Sequence, residues 1–152
     1  MNDRFPAVGV VAKNEPAAVA VAAELVVWLG RRGHEALLDE ATRAAIGRFD
    51  LPVLAPGAPC DLAVVLGGDG TILSVARRYP GGPPILGVNL GHLGYLTEVP
   101  REELYPALLE ILAGRFTLEE RSLLEVRLER QDGSVREFLA LNDAVVAKTA
   151  NE

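Results

Sequence analysis

The chain has 152 residues, 49% of them apolar and 24% charged, and a formal net charge of −6. That is enough apolar material for a packed core, which excludes a disordered chain, and the acidic balance, with no long Lys/Arg block, excludes nucleic acid as the main partner. The single cysteine, Cys60, excludes an internal disulfide; it points to a cytoplasmic protein carrying a small buried thiol.

No targeting segment and no membrane span are expected. Met1-Asn2-Asp3-Arg4 leads straight into a strand-like run, and the longest apolar stretch, residues 17–30, is broken by Glu24 and is too short to cross a bilayer. Residues 7–12 are apolar and rich in β-branched side chains, which predicts a buried strand. Asn14-Glu15-Pro16 reads as a helix start, with Asn14 capping, Glu15 near the dipole and Pro16 in the first turn. The helix runs to Leu29 and stops at Arg31-Arg32-Gly33. His34 is read as a surface residue near the helix end. A second strand is predicted at 35–38 and a short helix at 41–49. Residues 62–66 form the clearest buried strand. It ends in Gly67-Gly68-Asp69-Gly70-Thr71, followed by a helix over 72–79, a Pro/Gly loop at 80–84 and a further buried strand at 85–88. A glycine-punctuated segment covers 89–97, and an amphipathic helix is predicted over 100–113, ending at Gly114.

Strands apolar throughout and alternating with helices are the signature of a parallel sheet covered on both faces, an α/β Rossmann-like fold. Ligands of such sheets sit beyond the carboxyl ends of the strands, where both glycine clusters lie. The pattern changes after Gly114. Leu124, Val126 and Leu128 alternate with Glu125, Arg127 and Glu129; Gln131-Asp132-Gly133-Ser134 signals a hairpin turn, and residues 135–141 return. Asn142-Asp143 and an apolar run at 144–147 follow. A boundary near 115–121 therefore separates an α/β domain, 1–118, from the first strands of an antiparallel β-rich domain, 119–152. About three strands are too few to bury a core of their own.

The turn Gly67–Thr71 combines three glycines with one acid at a strand-to-helix junction. Glycine permits positive φ and leaves backbone N–H groups facing open space, and the positive end of the next helix favours phosphate. Asp69 suits a proton acceptor or a Mg²⁺ ligand; the plainer alternative is a tight turn whose acid caps the helix. Thr71 can cap the helix or contact phosphate. No Gly-x-Gly-x-x-Gly or Gly-Lys-Ser/Thr pattern is present. In the second cluster, the Asn89 amide can read a nucleotide or orient Asp69. Gly91 and Gly94 let backbone approach a ligand, and Tyr95 offers a ring for a base. An ordinary loop with one packed aromatic is the alternative. His92 has no second His or Cys nearby, so no protein metal site is expected. Asn142-Asp143 alone reads as a turn.

Taken together, Gly67-Gly68-Asp69-Gly70-Thr71, the segment from Asn89 to Thr97, Arg121-Ser122-Leu123-Leu124 and Ala140-Leu141-Asn142-Asp143 resemble the NAD kinase family in order and spacing. The first motif is shared with diacylglycerol-type lipid kinases. The resemblance implies transfer of a phosphoryl group from ATP, or polyphosphate, to the 2′-hydroxyl of NAD with a divalent metal, Mg²⁺. It makes Asp69 the proton acceptor. Gly67, Gly68, Asp69, Gly70, Thr71 and Asn89 become nucleotide contacts, Leu73 and Tyr95 line the adenine pocket, and Asn142 and Asp143 hydrogen-bond the dinucleotide from the second domain. It further implies homodimers or homotetramers, no nucleic-acid or membrane partner, and a chain that stops short of most of the family's second domain. The alternatives are a diacylglycerol- or sphingosine-type lipid kinase, and a nucleotide-binding module without turnover. The second cluster, Asn142-Asp143 and the absence of a basic amphipathic face argue against the lipid kinase.

Overall fold

The computed structural model describes residues 5–91 and 94–145. The chain divides into two compact units, Met1–Leu118 and Glu119–Glu152.

The first unit is built on a five-stranded, wholly parallel sheet. Its strands are β1 (Ala7–Ala12), β2 (Glu35–Leu38), β3 (Leu62–Leu66), β4 (Ile85–Asn89) and β5 (Val99–Pro100), in the order β2-β1-β3-β4-β5. Every residue of β1 and β3 is buried, as expected of central strands covered on both sides. Side chains alternate between two cores. Val8, Val10, Val64 and Leu66 meet helix α1 (Pro16–Gly30) and helix α4 (Leu104–Leu112). Val11, Leu37 and Val65 meet Ile72 and Val75 of helix α3 (Asp69–Arg78). Helices therefore cover both faces, and the fold is α/β. In α1, Ala18, Val21, Ala22, Leu25, Val26 and Leu29 form one buried stripe at helical spacing. Burial of Leu25 and Leu29, both at 0% exposure, stabilises the unit by roughly 1.5–3 kcal/mol each.

Several boundaries differ from those predicted. The residue capping α1 is Glu15, not Asn14, and it makes no side-chain cap bond; its carboxylate pairs with Lys13 instead. Pro16 at the first position lacks the N–H that would need a cap. Helix α2 (Glu40–Ile46) stops short of Phe49 because Gly47 adopts φ 68°, a left-handed terminator. Helix α3 begins at Asp69, three residues before Ile72. Val99 and Pro100 do not open a helix. They pair with Val88 and Asn89 as an edge strand, where proline is tolerated, and a 3-10 turn at Arg101–Glu103 leads into α4.

The second unit is an antiparallel ribbon of β6 (Leu124–Glu129) and β7 (Val135–Ala140), with Val126 opposite Phe138 and Leu124 opposite Ala140. Its turn is held by Gly133 at φ 82° and by the Asp132 carboxylate, which accepts from the Ser134 N–H at 2.9 Å. Leu124, Leu128 and Phe138 remain about half exposed. The apolar run at 144–147 adds no strand among its described residues, and Val146 and Ala147 lie outside them.

Candidate functional site

β1 leads to β2 on one side of the sheet, and β3 resumes on the other, so the chain direction switches between β1 and β3. At their carboxyl ends such a switch leaves a crevice. There the Lys13 N–H donates to the Leu66 carbonyl at 2.9 Å, and the Gly67 N–H donates to the Val88 carbonyl at 3.0 Å. These bonds tie the ends of β1, β3 and β4 together around Gly67–Thr71.

The glycines of this turn serve space rather than handedness. None of Gly67, Gly68 and Gly70 has positive φ, contrary to expectation; Gly68 is extended, at φ −104° and ψ −172°. A Cβ on Gly67 would stand 2.9 Å from the Thr71 Cβ and 3.3 Å from the Lys13 Cβ. Gly68 and Gly70 face open space, with nothing within 4 Å of a built Cβ. Their main chain is thus accessible to a ligand at the start of α3, where the helix dipole favours an anion.

Asp69 is the first residue of α3, and its carboxylate does not cap the helix. Oδ2 accepts from the Tyr95 N–H at 2.8 Å, and Oδ1 accepts from the Leu96 and Thr97 N–H groups at 3.0 and 3.2 Å. The bonds from Tyr95 and Leu96 hold the carboxyl below the usual carboxylate range, against a smaller opposing effect of desolvation and with further help from Thr97. Asp69 is therefore ionised at neutral pH. Gly94 makes the approach possible: a Cβ there would stand 2.5 Å from Asp69 Cγ. Sequence reasoning assigned Gly94 to the approach of a ligand, whereas the group it approaches is Asp69. The main-chain donors of residues 95–97 have no side-chain signature, and only Gly94 hinted at them. The Gly94 N–H in turn donates to the buried Thr97 hydroxyl at 3.2 Å.

The other expected residues fall as follows. Asn89 is buried at the end of β4, and its Oδ1 accepts from the Gly91 N–H at 2.8 Å. Tyr95 is 97% exposed, so its ring is free to receive a planar group. Leu73 and Thr71 are partly buried along α3; the Thr71 side chain packs against Gly67 and makes no cap bond. Asn142 and Asp143 follow β7 in the second unit, both exposed. His92 lies outside the described residues. His34 is not merely a surface group: its Nδ1 is 2.8 Å from the Phe5 carbonyl oxygen. Cys60 is half-buried and donates to the Leu62 carbonyl at 3.2 Å; burial pushes its thiol pKa up, which favours the neutral thiol. Among the described residues no group of three or more His, Cys, Asp or Glu side chains is placed to hold a metal. No helix among them is long and apolar enough to cross a membrane.

Residues 55–116 match the family described as the ATP-NAD kinase N-terminal domain. The chain is 44% identical over 147 residues to an NAD kinase of Syntrophotalea carbinolica, covering 94% of this chain and 52% of that protein. Among solved structures it is similar to a yeast NADH kinase complexed with NADH, at TM-score 0.77 and 23% identity, covering 92% of this chain and 48% of that one. It is also similar to an NAD kinase from Archaeoglobus fulgidus in complex with ATP, at TM-score 0.53 and 24% identity, covering 80% and 41%. At those identities the structures speak for the fold. The chain spans about half the length of the relatives it matches. Over that half, glycine motifs, parallel sheet and relatives agree, and the chain's likeness is to the NAD kinase family, with that family's N-terminal domain at residues 55–116.

Proposed function

We infer that the protein transfers a phosphoryl group from ATP, or polyphosphate, to the 2′-hydroxyl of the adenosine ribose of NAD, giving NADP. The observation that carries this reading is the Asp69 carboxylate, fixed by three main-chain amides beside open glycine backbone at the switch-point crevice. A carboxylate offers about four acceptor directions. Three are filled, which leaves one to accept the ribose hydroxyl.

A carboxyl with a lowered pKa is a weak base, and the reaction needs no strong one. The transition state of phosphoryl transfer is loose, so positioning and charge neutralisation dominate. As the 2′-oxygen bonds to the γ-phosphorus and the bond to the β-phosphate oxygen breaks, the hydroxyl proton becomes acidic and passes to Asp69. The backbone of Gly67, Gly68 and Gly70, with Thr71, would bind the nucleotide, together with Asn89 and the Leu73 and Tyr95 side chains. Asn142 and Asp143 would contact the dinucleotide from the β-rich domain, 119–152, and residues 1–118 would be the nucleotide-binding domain. Mg²⁺ commonly takes one or two carboxylates, with phosphates and water filling its octahedron. The residues present fit an ion held by the donor phosphates and water rather than by Asp69, whose acceptor directions are taken by the three amides and the ribose hydroxyl; there it would neutralise phosphate charge. Homodimers or homotetramers and a cytoplasmic setting complete the reading; the unpaired Cys60 fits the latter.

The test is incubation of the protein with NAD, ATP and Mg²⁺, with NADP detected by an NADP-specific dehydrogenase. Asp69→Asn should lower turnover by roughly 10²–10⁴-fold, the usual worth of a positioned acid–base group, while NAD binding is retained. Saturable NAD binding with no product from the unaltered protein would leave a binding module. Equal loss of binding in Asp69→Asn would make Asp69 a ligand contact only.

A further inference from the structure

The last turns of α1 and the start of α4 enclose an open groove of 590 Å³ that the kinase reading leaves unused. Its floor is aromatic: the Trp28 and Tyr105 rings lie 5.3 Å apart at 38°. Its rim is cationic. The Arg32 guanidinium sits 3.8 Å from the Trp28 ring centroid, and Arg31 lines the groove beside it. Among the described residues neither guanidinium has a carboxylate within ion-pair distance, although Arg43, Arg48, Arg78 and Arg115 all do. One carboxylate, Glu24, lines the groove a turn before Trp28, and Val27 adds apolar surface. Helix α1 starts just past the carboxyl end of β1 and runs back along the sheet. Trp28 is twelve residues beyond Pro16, about 18 Å along the helix axis. None of the residues that line the groove belongs to Gly67–Thr71 or to the 94–97 segment that holds Asp69.

Aromatic floor and cationic rim together select the ligand. A plain anion would have no use for the two rings, and an apolar molecule would leave the guanidiniums unsatisfied. A heteroaromatic base stacks on indole, phenol or guanidinium faces. Phosphate suits the planar fork of arginine. An amino group on the base edge gives Glu24 a donor to accept from. The volume lies within the range of small-molecule sites. We propose that the Trp28–Tyr105 groove is a second nucleotide site, binding a purine nucleoside monophosphate with its base on the aromatic floor and its phosphate at Arg31 and Arg32. Binding draws Arg32 from the indole face toward the phosphate, and the base takes the vacated face.

Trp28 is the chain's only tryptophan, so its fluorescence reports directly on the groove. AMP titrated into the intact protein should give a saturable change. Adenosine and inorganic phosphate, each with half of the recognised chemistry, should need at least about tenfold higher concentrations. Arg31→Ala combined with Arg32→Ala should weaken AMP by at least about tenfold. Both side chains are exposed, and an unchanged circular-dichroism spectrum would show that the fold is kept. Asp69→Asn should leave the response intact, which separates this site from the kinase reading. The proposal is overturned by no saturable response, by phosphate matching AMP, by a response that survives the double arginine change, or by one that disappears with Asp69→Asn. An acidic peptide that saturates the Trp28 response at lower concentrations than AMP would also overturn it, making the groove a protein-docking surface instead.

Discussion

Replacing Gly94 with alanine moves Asp69 without altering its charge. The new Cβ would stand 2.5 Å from Asp69 Cγ and 2.7 Å from Oδ2, whereas ordinary contact begins at 3.4 Å. Asp69 Oδ1 would be closer still, so relief requires at least about 0.9 Å of movement, the difference 3.4 − 2.5 for Cγ. Either the carboxylate turns away or residues 94–97 recede, and in both cases the bonds from Tyr95, Leu96 and Thr97 lengthen. A displacement of about 1 Å at a positioned reacting group costs on the order of 10²-fold in rate, so kcat for NADP formation should fall by roughly that factor. The assay measures NADP at saturating NAD and ATP, with the NAD dissociation constant determined separately. A carbon-13 NMR titration of the Asp69 carboxyl should show its pKa rising toward the ordinary value, because the amide bonds that lower it weaken. Gly91→Ala is the control, since a Cβ there meets nothing within 4 Å, and the Asp69 titration should stay unchanged. A Gly94→Ala protein with unaltered kcat and an unaltered Asp69 titration would refute the claim that this close approach sets the carboxylate.

Three further outcomes are expected. Thr42→Val should destabilise the fold by about 1–3 kcal/mol, lowering the Tm by roughly 3–10 °C. The buried Thr42 hydroxyl accepts from the Ala12 N–H at 2.8 Å beyond the last β1–β2 pair, Val10 with Leu38, and valine leaves that N–H unsatisfied. Hydrogen exchange at Ala12 should quicken in Thr42→Val and stay slow in Thr42→Ser; slow exchange in both would refute the account. The pH profile follows from the lowered Asp69 pKa. The stability this group contributes is complete above its unfolded pKa and is lost as pH falls through the lower folded value. Turnover should thus hold steady from neutral pH into the carboxylate range, and an acid limb close to neutrality would assign the limiting group elsewhere. Gly70→Val places a side chain in the open space before α3; calorimetry should show NAD affinity reduced by at least about tenfold, or 1.4 kcal/mol, and unchanged affinity would remove the backbone from the site.

The sequence by itself determined the sheet. Runs such as residues 7–12 and 62–66 are apolar throughout and rich in valine, a composition that suits short strands covered on both faces. It also determined the β6–β7 ribbon, through the alternation of Leu124, Val126 and Leu128 with Glu125, Arg127 and Glu129 before the Asp132-Gly133 turn, and the position of the glycine turn at a strand end. Tertiary structure decided what Asp69 does there. Its partners lie 26 to 28 residues along the chain, and they are main-chain amides, which no side-chain pattern announces. Pairing of β3 with β4 carries the 94–97 segment back over the start of α3, so that Asp69 meets it rather than capping its own helix. Pairing with Val88 and Asn89 of β4 turned Val99 and Pro100 into an edge strand. Periodicity in a sequence records which side of an element is buried; the order of strands in the sheet decides which distant backbone groups then lie within hydrogen-bonding reach.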